Sequence, residues 1–224
     1  MRQLIALMAC ALLAACTTTA TRLADKSLIT PAAGTRVLLV QPDVQLTMFT
    51  ASGLQEPKAD WSQAARDNIS GELRRTLEGR SHQFRELDPS TAMGGRAGQL
   101  LRLHSAVGQS IMSVLVLPTK KGAFDWTLGE GAQELGKAYD ADYALFTYAS
   151  GSWSSGGRKA LMLLAAAGGI SIQMGGQTAF ASLVDLKTGR VVWFNVAIAA
   201  SSDDMRKPDG AQRLVAALMK DVPL

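Results

Sequence analysis

The residues that could carry chemistry are few. Trp153-Ser154-Ser155-Gly156-Gly157 has some of the small residues of a G-x-S-x-G nucleophile elbow. With His104 as base and an Asp behind it, Ser154 or Ser155 would give a lipid-anchored serine hydrolase acting on an envelope substrate. The elbow, however, needs a first Gly because its strand-to-helix turn is strained and crowded, and Trp153 stands there. The chain has two His, His82 and His104. His104 reads as a helix-surface or partly buried hydrogen-bonder and His82 as a loop residue. No H-x-x-x-H spacing and no Cys pair suggests a metal.

Gly131 to Ala138 matches G-x-x-x-x-G-K, yet Ala138 lacks the hydroxyl that would hold Mg²⁺, and the glycines fall inside a helical run rather than after a strand. The carboxylate pairs Asp140/Asp142 and Asp203/Asp204 read as caps and solvated turns. Trp126, Trp153 and Trp193 could build a ligand platform, although aromatics at element ends are more often core. These residues therefore imply no catalytic site, no metal and no cofactor.

The N-terminus is more specific. Arg2 precedes an apolar run from Leu4 to Ala14 that is too short to span a bilayer, which takes about 20 residues. It ends in Leu13-Ala14-Ala15-Cys16, which resembles the bacterial lipobox. The resemblance implies residues 1–15 as a cleaved signal peptide, Cys16 as the acylated first residue, and 16–33 as a lipidated tether opening on polar Thr17 to Thr21. Thr17, rather than Asp, after the lipidated Cys implies the outer membrane, facing the periplasm. Of the chain's two cysteines, Cys10 leaves with the signal and Cys16 is acylated, so the mature domain has no disulfide and no thiol nucleophile. The net charge of +4 is interspersed along the chain and lacks aromatic interleaving, so no nucleic-acid partner is implied.

Residues 34–224 suit one domain. Thr35 to Gln41 reads as a buried strand, Val44 to Thr50 as a second strand or an extended continuation of it, Phe84 to Leu87 as a short one, and Tyr143 to Ala149 as another. Gln177 to Leu186 and Arg190 to Ala199 read as a hairpin. Asp60 is the expected N-cap of a helix to about Glu78, with Trp61, Ala65, Ile69, Leu73 and Leu77 on one face. Leu100, Leu103, Val107, Ile111 and Val114 mark a helix from Gly98 to Leu117. Further helices are expected from about Gly129 to Tyr139 and from about Pro208 to Lys220. The implied fold is α/β (α+β): a mixed sheet of about five strands with helices packed on it and a C-terminal helix.

Three phrases carry a family likeness: Gly34 to Val40, Ala141 to Phe146, and Ala181 to Trp193, the last reading L-V-D-x-x-T-G-x-V-x-W across the hairpin. Together they resemble the superfamily of the curli-secretion lipoprotein and the TolB N-terminal domain. The resemblance implies a periplasm-facing domain with a binding or assembly role at the outer membrane. Arg158 to Gln173 departs from the pore-forming members, because it contains no pair of alternating strands. Ala160 to Ala167 is instead wholly apolar and bracketed by Gly pairs, which makes Leu161, Leu163 and Leu164 a candidate interaction surface. It would serve an envelope protein, self-association or the lipid headgroup layer; the competing reading is a helix buried on the sheet.

The lipobox resemblance implies a diacylglycerol thioether and an acylated amino group on Cys16, and several acyl chains anchor stably where one does not. Cys16→Ala is expected to lose metabolic labelling by a fatty-acid analogue and to release the domain; label persisting on the variant would contradict the assignment.

Overall fold

The computed structural model describes residues 18–23, 31–92, 94–113, 123–172, 175–200 and 203–224. The expected signal peptide and the candidate Cys16 lie outside the described residues. Eight strands form one mixed sheet: β1 (Thr18–Leu23), β2 (Arg36–Val40), β3 (Asp43–Phe49), β4 (Gln55–Pro57), β5 (Gln83–Leu87), β6 (Tyr143–Ser154), β7 (Gln177–Asp185) and β8 (Val191–Ala199). Among the described residues five α-helices accompany it: α1 (Ala59–Leu77), α2 (Gly95–Ser113), α3 (Ala132–Tyr139), α4 (Gly156–Ala167) and α5 (Pro208–Leu218).

The sheet runs β1-β8-β7-β6-β2-β5, with β3 also on β6 and β4 on β3. β6 is the spine. It pairs in parallel with β2 through Leu39↔Leu145 and again with β3 from Asp43↔Tyr148. Between these two pairs the first chain takes four steps (39 to 43) and β6 takes three (145 to 148). β2 and β3 thus form one line of pairing along β6, interrupted by a one-residue bulge at Gln41-Pro42. The extra residue flips the side-chain alternation, so Leu39 before it and Val44 and Leu46 after it face the same core.

Each face of the sheet buries its own core. On one, Leu39, Leu46, Leu145, Leu183 and Trp193 pack against Ile69 and Leu73 of α1 and Leu214 and Leu218 of α5. On the other, Leu38, Phe146, Phe180 and Phe194 meet Leu100 and Ile111 of α2 and Leu135 of α3. This three-layer arrangement follows from β6 and β7 being apolar on both faces, which forces helices onto each side.

Several boundaries differ from expectation. The sheet has eight strands rather than about five, because β1 and β4 are short polar edges without an apolar pattern. Thr18–Leu23, expected to belong to the tether, pairs antiparallel with β8 from Thr18↔Ile198 to Leu23↔Trp193. Asp60 is not the cap of α1; Lys58 occupies that place without a side-chain bond, and Asp60 sits in the first turn, where a carboxylate complements the helix dipole. Of the expected Gly98–Leu117 helix, the structure shows Gly98 to Ser113 within α2, which starts three residues earlier at Gly95; 114–122 lie outside the described residues.

Gly108 lets α2 approach the sheet: a Cβ there would stand 2.3 Å from Phe180 Cζ, and Phe180 is fully buried. Gly71 in α1 has open space around the same atom. Gly108→Ala is therefore expected to cost about 1–3 kcal/mol through overpacking, and Gly71→Ala to stabilise by roughly 0.5–1 kcal/mol through helix propensity. Urea unfolding of the pair checks this; equal shifts would contradict the packing of α2.

Candidate functional site

His104 is the most altered ionisable group. α2 buries Leu100, His104, Gly108 and Ile111 along one stripe, and Leu103, expected on that stripe, is 43% exposed. The histidine takes the leucine's expected place because it has its own partners on the sheet. Its Nε2 lies 2.5 Å from Ser182 Oγ on β7, and its ring stacks on Phe146 at 3.8 Å between centroids. His104 is thus fully packed rather than at the helix surface. Burial pushes its pKa down to about 3, so the imidazole is neutral at physiological pH and a poor general base. Ser182 is 1% exposed, beyond the reach of a substrate carbonyl.

The expected hydrolase serines are occupied elsewhere. Ser154 Oγ contacts Met162 Sδ at 3.7 Å, and Ser155 Oγ caps α4 by accepting from Arg158 N at 3.2 Å. His104 spends its Nε2 on Ser182 of β7, and no hydrogen bond joins it to Ser154 or Ser155. The structure brings none of the three into a nucleophile–base pair.

The remaining motifs resolve into structure. The G-x-x-x-x-G-K stretch forms α3, with Gly131 before it and Gly136 inside it. A Cβ at Gly136 would stand 2.9 Å from Ala141 O, so this glycine serves close packing. Asp140 and Asp142 hold Arg36: Asp142 accepts from Arg36 Nη2 at 2.8 Å and from its backbone N at 3.0 Å. The guanidinium holds the Asp142 carboxyl below its usual range. Asp203 pairs with Arg213 at 2.6 Å and Asp204 with Arg206 at 2.7 Å. Trp193 is fully buried core. Trp153 meets Trp61 edge-on at 5.8 Å, with the Arg206 guanidinium 3.9 Å and 4.4 Å from the two ring centres. That pairing was invisible in sequence, since it joins α1, β6 and the loop before α5. No group of three or more His, Cys, Asp or Glu that could hold a metal occurs among the described residues.

A cleft of about 800 Å³ opens at the Gln41-Pro42 bulge. Arg66 and Gln63 of α1, Arg102 and His104 of α2, and Phe146 to Tyr148 of β6 line it. The bulge makes the cleft, because β5 ends at Leu87 and β3 starts only at Asp43. Thr147 Oγ1 is buried there without a hydrogen-bond partner among the described residues.

The candidate interaction residues stand out instead by exposure. α4 buries none of its residues. Arg158, Met162 and Ala165 are half-buried, and Arg158 lies over Phe49 at 4.7 Å. Ala160, Leu163, Leu164 and Ala167 point outward at i, i+3, i+4, i+7, the spacing of a face that other helices bury. Leu161, Leu163 and Leu164 are 44%, 75% and 74% exposed. The alternative of a helix buried on the sheet does not hold. No helix among the described residues is long and apolar enough to cross a membrane.

No protein-family profile and no curated protein matches the sequence. Among solved structures, two dodecamers of PelC from Paraburkholderia phytofirmans are similar. One, a variant, is 15% identical with a TM-score of 0.43, covering 91% of this chain and 95% of its own. The other is 14% identical with a TM-score of 0.41, covering 92% and 98%. Likeness of this degree assigns neither family nor function.

The buried His104 gives a pH prediction. Its folded pKa lies below the unfolded value near 6.5, so unfolding takes up a proton and stability falls as pH drops from about 6.5 towards 3. The loss should reach roughly 2–3 kcal/mol by pH 4.5. Asp142 and Asp204, whose carboxyls are held below 3.8, lose their contribution only at lower pH. His104→Gln is expected to flatten stability between pH 6.5 and 4.5; an unchanged slope in urea titrations would contradict the buried neutral imidazole.

Proposed function

We propose that this chain is a lipid-anchored protein of the outer membrane, facing the periplasm, that acts by contact rather than catalysis through the outward face of α4. The observation that carries the reading is the apolar stripe Ala160, Leu163, Leu164 and Ala167, displayed on a helix with no buried residue. Monomers rarely display contiguous apolar surface without a use for it. The lipobox at Cys16 supports the location, and the phrases shared with the curli-secretion lipoprotein superfamily support a role in envelope assembly or binding. The engagement of Ser154 and Ser155 within the α4 cap supports contact over hydrolysis.

Leu163→Asp tests the reading. At an exposed site it should leave stability within about 0.5 kcal/mol. A photo-crosslinking side chain at Leu163 should form envelope adducts that one at exposed Glu130 does not form. Loss of global stability in Leu163→Asp, or equal adducts at both positions, would contradict it.

A further inference from the structure

The register of the sheet places α4 relative to the start of the chain. Thr18 pairs with Ile198, Ile198 with Thr178, Thr178 with Ser150, and Ser150 with Gln45. These five residues form one rank across the sheet. β6 runs four residues past that rank to Ser154, opposite Phe49, and α4 begins at Gly156. The first residue of β1 and the root of α4 therefore lie at the same end of the molecule. Cys16 is two residue steps before Thr18, a reach of at most about 7 Å.

That end is apolar. Seven large hydrophobic side chains are exposed among the described residues. Six of them belong to it: Leu54 in the loop after β3, Leu161, Leu163 and Leu164 on α4, Ile170 between α4 and β7, and Ile198 in the rank of Thr18. The seventh, Leu103, is on α2. The opposite end, where β2 and β6 start and β7 ends, carries the Arg36, Asp140 and Asp142 ion pairs and the Asp185 turn.

Resting on the lipid anchor proposed above, we infer that α4 and its neighbours are a membrane-docking face: Leu163 and Leu164 sit in the headgroup layer of the bilayer that holds the Cys16 acyl chains. A leash of two residues leaves the rank of Thr18 no room to stand away from the lipid. An apolar helix face lying in the interface adds buried area to the anchor and fixes the domain's orientation. A phospholipid surface fits this face better than a second copy because the exposed side chains gather at the end from which the two-residue leash to Cys16 leaves the sheet.

The test uses the full, lipidated chain in vesicles of phosphatidylethanolamine and phosphatidylglycerol. With Cys10 cleaved off and Cys16 acylated, Leu164→Cys offers a single free thiol for a nitrobenzoxadiazole probe, and Lys187→Cys places the same probe at the opposite end. The probe at 164 is expected to shift to the blue and to be quenched several-fold more by brominated acyl chains than the probe at 187. A chain that floats with the vesicles while its probe at 164 stays unquenched overturns the docking face alone. A blue shift at 164 that grows with protein concentration in detergent, without lipid quenching, assigns the face to a second copy and also overturns it. A chain that fails to float at all overturns the anchor on which the inference rests.

Discussion

Asn195 sits fully buried in β8, opposite Thr21 of β1, and its amide joins three elements. Its Oδ1 accepts from Thr21 Oγ1 at 3.2 Å, and its Nδ2 donates to Leu218 O at 2.7 Å and Ala217 O at 3.2 Å at the end of α5. A buried amide is costly unless satisfied, so this arrangement tolerates one register of β1 on β8. A slip by one residue would leave the amide unpaired and turn Thr21 to the other face. From that register follows the place of Thr18, and from Thr18 the end of the sheet nearest Cys16.

The rest of the domain serves to hold that end rigid. β6 carries both β2 and β3, accepts the bulge at Gln41-Pro42, and runs on past the rank of Thr18, paired with β3 as far as Ser154, to launch α4. Its two apolar faces tie it to both helical layers, so α4 is rooted in a strand held from both sides. Ser155 caps the helix, and Arg158 on Phe49 and Met162 on Ser154 lay its inner stripe against the sheet. Apolar side chains outside those contacts are left facing solvent by a stiff support.

Periodicity made much of this legible. Ile69, Leu73 and Leu77 face the core as their four-residue spacing requires, and the hairpin phrase forms β7 and β8 with Gly189 at φ 74° in its turn. What periodicity missed was set by tertiary contact. Thr18 to Leu23 is polar, and only pairing with β8 makes it a strand. On α2, spacing favoured Leu103, whereas His104 is buried because Ser182 and Phe146 wait for it on the sheet. The Trp61, Trp153 and Arg206 cluster joins positions far apart in sequence. For α4, composition gave the apolar face and left its burial open, because exposure depends on what the sheet has room to cover.

Two distances separate this account from a freely tethered domain. If residues 16–33 were all tether, 17 steps of chain would let the domain stand on the order of 50 Å from the bilayer. With Thr18 already in the sheet, the gap closes. Neutron reflectometry of the full chain, carrying the lipid proposed at Cys16, on a supported bilayer measures it directly. The account predicts a protein layer in contact with the headgroups, with no resolvable water layer between them; a hydrated gap tens of ångströms deep would contradict it.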